Sequence, residues 1–137
     1  MDQGTLVSEQ IDAGAAFVRA FNCYQPIKAA FWLKKTDENQ TYLYLASDQI
    51  NDANFDLAYG EVIRLSNQMR LHDFNPFRVK VLNADKPLAR AAVEINDRFP
   101  GRLGSRLEDG LFGGVWIDSG YIYSSPLPAV LNEIGSV

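Results

Sequence analysis

Arg102 and Arg106 lie in a stretch that also holds Gly101, Gly104, Gly110, Gly113 and Gly114. Glycines admit positive φ and let backbone N–H groups come close to an anion, and two guanidinium groups can grip a phosphate or carboxylate through charge-assisted hydrogen bonds. Glu108, Asp109 and Asp118 are residue types that hold Mg2+ or serve as acid and base. Together they suggest an enzyme or binder of a phosphorylated or acidic small molecule at residues 101–114. The pattern lacks the Gly-Lys-Ser/Thr ending of a P-loop and the dinucleotide fingerprint after a strand. Ser105 has no nucleophile-elbow surroundings. A long loop using glycines to turn between a helix and a hairpin accounts for the same residues.

Other reactive side chains are isolated. His72, the one histidine, stands beside Asp73 with no nucleophile in register, which suits a surface or turn-bonding role. Cys23 is the one cysteine, so no intrachain disulfide forms and no soft zinc site can be assembled. It is expected to be a small buried hydrophobe near a helix end. Asp48, Asp52 and Asp56 lack the glycine and terminal glutamate of a calcium loop, and helix capping explains them. No catalytic residue, cofactor or metal is expected.

A second constellation is aromatic. Side chains alternate across a strand, so if Ile27, Ala29, Phe31, Leu33, Leu43, Leu45, Phe77, Val79, Val81, Val115, Ile117 and Ile122 face the helices, another set points away from them. That set is Trp32, Tyr42, Tyr44, Arg78, Lys80, Trp116, Tyr121 and Tyr123. Such a surface serves as a second core layer beneath the first helix or the tail, as a protein interface, or as a stacking platform for single-stranded nucleic acid. The net charge of −4 argues against the last, despite the basic residues clustered between Arg64 and Arg106. We therefore expect a small binding or interaction protein. Trp32, Tyr42, Tyr44, Arg78, Trp116, Tyr121 and Tyr123 form its face for self-association or a protein partner, and nucleic acid is not a partner. A small acidic ligand at Arg102 and Arg106 is the alternative.

The elements that position these residues follow from periodicity. The 137 residues suffice for one domain with a single core. Val7, Ile11, Ala15 and Val18, widened by Phe17 and Phe21, predict a helix over residues 5–22 with Thr5 as N-cap. Alternation over residues 26–47 around the polar tip from Thr36 to Asn39 predicts a β-hairpin. A helix over 54–69, a strand from Phe77 to Val81 and a helix begun by Pro87 and stopped by Pro100 come next. Val115 to Ile117 and Tyr121 to Tyr123 predict a second hairpin turning at Asp118, Ser119 and Gly120. The expectation is an α+β layered sandwich in one domain, element order α-β-β-α-β-α-β-β, with a mixed five-stranded sheet and parallel strand-helix-strand passages. Residues 1–4 and 129–137 are expected to be frayed or loosely attached. The start of the chain has no basic region followed by an apolar run, and no stretch reaches about 18 apolar residues, so a soluble, cytoplasmic protein is expected, with no membrane contact.

Overall fold

The computed structural model describes residues 8–71, 74–99 and 104–124. In chain order these form α1 (Ser8–Tyr24), β1 (Ala29–Lys35), β2 (Tyr42–Ser47), α2 (Phe55–Met69), a 3-10 turn (Pro76–Arg78), β3 (Val79–Asn83), α3 (Pro87–Arg98), β4 (Gly104–Leu107), β5 (Gly110–Phe112) and β6 (Val115–Tyr123). The architecture is α+β, with three helices on a mixed sheet. Its order is β3-β2-β1-β6-β4, with β5 also paired to β6, so the sheet has six strands instead of five. The β2-α2-β3 passage is parallel, whereas all other pairings are antiparallel. The passage through α3 therefore leads to the opposite edge, not to a parallel neighbour of β3. Thr5, His72, Asp73, Arg102 and the two chain ends lie outside the described residues.

The glycine-rich stretch is a strand arm. From Gly104↔Tyr123 to Phe112↔Val115, β4 and β5 hold one register against β6, interrupted at Glu108 and Asp109. Gly113 and Gly114 close this hairpin with φ 56 and 88, the left-handed pair that a two-residue turn matching strand twist requires. The turn expected at Asp118, Ser119 and Gly120 is instead the middle of β6. Lys34 pairs with Ser119 and Lys35 with Ile117, which leaves Asp118 as the extra residue of a bulge. Gly120 is needed there because a Cβ would stand 2.6 Å from the Trp32 carbonyl oxygen of β1.

Both faces of the sheet are packed. Phe17, Val18 and Phe21 of α1 and Ala58, Val62 and Leu65 of α2 meet Ala30, Trp32, Leu43, Leu45, Val79, Val81 and Tyr123. On the other face Ala89 and Ala92 of α3 meet Ala29, Phe31, Leu33, Tyr44, Ala46, Phe112, Ile117 and Ile122. Before α2, Asn51 Oδ1 accepts from the N–H groups of Ala53 and Asn54, and Asn54 Oδ1 accepts from Asn51 N–H. These side chains tie the turn ahead of the helix, and Asn54 makes no side-chain cap bond. Cys23 is exposed, contrary to the buried role expected, because it lies off the apolar stripe of α1.

Candidate functional site

Six of the seven residues expected on one aromatic face are distributed over three environments, and Arg78 lies apart from them. Trp32 and Tyr123 lie in the core beneath α1, with Tyr121 packed against them. Trp32 Nε1 donates to the Tyr123 hydroxyl at 2.8 Å, and that hydroxyl donates to the Ile11 carbonyl of α1 at 2.6 Å. Burial pushes the Tyr123 phenol up, although the Trp32 hydrogen bond pulls the other way. Tyr42 and Tyr44 belong to the opposite face, beside α3. Tyr44 stacks on Phe31 at 5.2 Å, and Lys80 Nζ sits 4.3 Å from the Tyr42 ring centre while pairing with Glu38 at 3.6 Å. Burial, then Glu38, pushes the Tyr44 phenol up. Arg78 ends the 3-10 turn and is not on a strand.

Trp116 is in the third environment, and it is 65% exposed. It pairs directly across the hairpin with Leu111, which is 63% exposed. Alternation from Phe112 and Ile117, which face α3, points Leu111 and Trp116 to the side of α1 and α2, beyond the part of the sheet those helices cover. The arm is well anchored at this point. Trp116 O accepts from Thr36 N–H at 3.0 Å, and the bulged Asp118 accepts from Lys34 Nζ at 2.6 Å and from the Thr36 hydroxyl at 3.0 Å. The Lys34 bond, then the Thr36 bond, holds the Asp118 carboxyl below the usual carboxylate range. Lys35, Thr36, Asp37, Val115 and Trp116 line a cleft of about 380 Å3 beside the pair. An exposed indole on a fixed backbone loses little side-chain freedom on binding, which is the physical basis of an aromatic anchor.

The two edges of the sheet differ. At the β3 edge the Val81 N–H donates to the Tyr59 hydroxyl of α2 at 3.2 Å, so a side chain occupies a position an incoming strand would need. Along the β4–β5 edge no described side chain plays that part. Its outward residues include exposed Arg106, Glu108, Asp109 and Leu111.

Of the anion-site candidates, Arg106 has its guanidinium 5.9 Å from the Tyr121 ring centre, and Arg102 is outside the described residues. A cleft of about 740 Å3 along α3 includes Gly113, but its lining sets Asp48, Asp85, Glu94 and Asp97 against Lys28 and Arg90. The Lys28 and Asp48 side chains are already paired at 3.3 Å. That balance is the wrong sign for a phosphate. Among the described residues no three His, Cys, Asp or Glu side chains converge as metal ligands, and no helix is long and apolar enough to cross a membrane. No family model, curated protein or solved structure matches the chain.

Leu111 was not among the residues singled out from sequence, although Gly113-Gly114 between Phe112 and Val115 is itself a hairpin signal that would have paired it with Trp116. Tyr59 carried no such signal, since its bond to Val81 spans two elements that only the packed structure brings together.

Proposed function

We propose that this is a small binding protein whose contact element is the β4–β5–β6 arm, with Leu111 and Trp116 as apolar anchors on an open strand edge. The observation that carries this is the directly paired, exposed Leu111 and Trp116 on a backbone fixed by Thr36 and Asp118. An extended partner strand hydrogen-bonds to such an edge through its main chain, while adjacent side chains give selectivity. The lone exposed Cys23 thiol fits a reducing, cytoplasmic setting. Trp116→Glu tests the assignment. The variant should keep the wild-type circular dichroism and thermal midpoint while light scattering shows association weakened by about tenfold or more, the ordinary cost of losing an aromatic anchor. An unfolded variant, or association at wild-type strength, would remove Trp116 from the contact.

A further inference from the structure

We infer that Tyr42, Tyr44 and Glu38 form a cage for a primary alkylammonium group, and that the chain's own Lys80 occupies it as an internal stand-in that such a ligand displaces. The cage lies on the sheet face opposite Trp116 and does not depend on the arm. In the parallel pairing of β2 with β3, Tyr44 is the register partner of Lys80, so both side chains leave the sheet on one face, with Tyr42 two residues earlier beside them. The turn after β1 brings Glu38 to the same place, its N–H bonded to the Lys35 carbonyl at 3.0 Å. Lys80 Nζ then stands 4.3 Å from the Tyr42 ring centre, 5.8 Å from that of Tyr44 and 3.6 Å from Glu38 Oε2. Two aromatic rings and a carboxylate around one point make a cation site.

Lys80 fills this site incompletely. Glu38 Oε1 and the Tyr44 hydroxyl are both buried, and neither has a hydrogen-bond partner among the described residues. Buried polar atoms are nearly always bonded, and an exception calls for a ligand, an ion or a water. Burial first and the Glu38 charge second push the Tyr44 phenol up, so the carboxylate and the phenol are neighbours. An ionised carboxylate only accepts, and a phenol oxygen can accept as well as donate, so a group serving both in this way needs two donors. A primary ammonium has three. Tethered to β3, Lys80 reaches Glu38 Oε2 at ion-pair distance, beyond hydrogen-bond length, whereas an untethered alkylammonium can settle between Oε1 and the hydroxyl. The Lys80 and Glu38 side chains are 37% and 27% exposed, so the mouth of the cage meets solvent while Tyr44, 3% exposed, is its floor. The net charge of −4 favours a cationic ligand.

Calorimetric titration of the wild-type protein with n-butylammonium chloride tests the site directly. Saturable one-to-one binding is expected. Lys80→Met removes the competing ammonium and should tighten it by about tenfold, the factor lost when an internal group holds a site about nine-tenths of the time. Lys80→Ala should show the same gain, and both variants change a partly exposed side chain and should keep the wild-type circular dichroism. Glu38→Gln should weaken binding by about tenfold or more, and so should replacing the probe by tetramethylammonium, which has no N–H donor, or by n-butanol, which has no charge. Comparing 1,4-diaminobutane with an acetyl-lysine amide then separates the sources, the tighter binder marking a free polyamine or a lysine of another protein. Binding of n-butylammonium by the Lys80 variants but not by the wild type overturns the inference, because the cage then serves Lys80 alone. Equal binding of n-butanol, or indifference to Glu38→Gln, overturns it as well.

Discussion

Trp32 and Trp116 are the two tryptophans of the chain, both sit on strands of one sheet, and their surroundings are opposite. Trp32 is 3% exposed, its indole N–H bonded to Tyr123 and its ring roofed by α1 at Gly14. Trp116 has no roof. Its backbone is held by the bond from Thr36 and the bulge at Asp118, but the arm carries its side chain past the helices. The same residue type therefore serves cohesion in one place and is available for contact in the other. What decides between them is whether a helix lies above the strand, not the strand's own composition.

Loss of the interior ring should show the largest effect. Trp32→Ala removes a buried aromatic and leaves the Tyr123 hydroxyl without its donor, so unfolding free energy should fall by about 3–5 kcal/mol in urea melts. A change as small as that at an exposed site would show that the roofed core is not what the structure describes.

Alkaline pH acts on the same layer without mutation. The phenols of Tyr123 and Tyr44 have folded pKa values raised above the unfolded value of about 10. A raised folded pKa means that the stabilising neutral form is complete below that unfolded value and that stability drains away as pH climbs beyond it. The thermal midpoint should drop above about pH 10, with phenolate absorbance from these two rings appearing only on unfolding. Titration of all six tyrosines near their ordinary value in a folded protein would contradict the burial of Tyr44 and Tyr123.

Gly14→Ala tests how closely α1 approaches the sheet. A Cβ there would overlap the Tyr123 hydroxyl and stand 2.9 Å from Cζ2 of Trp32, both held by the hydrogen-bond chain to Ile11. The expected cost is about 1–3 kcal/mol, in spite of alanine's better helix propensity. A stabilised protein would mean that α1 sits further from the sheet.

Tyr59→Phe takes the comparison to the sheet edges. It leaves the Val81 N–H without its partner at a cost of about 1 kcal/mol, and should make the β3 edge newly competent for association in light scattering. Unchanged assembly together with unchanged stability would show that Tyr59 does not guard that edge.

The smallest effect is expected at the exposed end. Trp116→Ala should move unfolding free energy by no more than about 0.5 kcal/mol, since little of its surface is buried by folding. A loss approaching that of Trp32→Ala would place Trp116 in the core after all.

Periodicity and punctuation by themselves determined most of the elements. The α2 and α3 boundaries fall within a residue of those predicted, and the first hairpin forms, because apolar spacing, Pro87 and the alternation of β1 and β2 are local signals. Strand faces were not legible in that way. Alternation divides each strand into two sets, but which set of β1 joins which set of β2 depends on register, and a one-residue difference exchanges them. Here Phe31 pairs with Tyr44 and Trp32 with Leu43, so Tyr42 and Tyr44 are separated from Trp32 by the thickness of the sheet. The second hairpin was misplaced for a related reason. Asp118, Ser119 and Gly120 carry turn residues, yet long-range pairing with β1 draws them into a bulged strand and leaves the turn to Gly113 and Gly114. Tertiary structure alone decided that α1 covers Trp32 and Tyr123, that Tyr59 closes one edge, and that Leu111 and Trp116 remain open at the other. Each depends on contacts between residues far apart in the chain, whose energies no local pattern encodes.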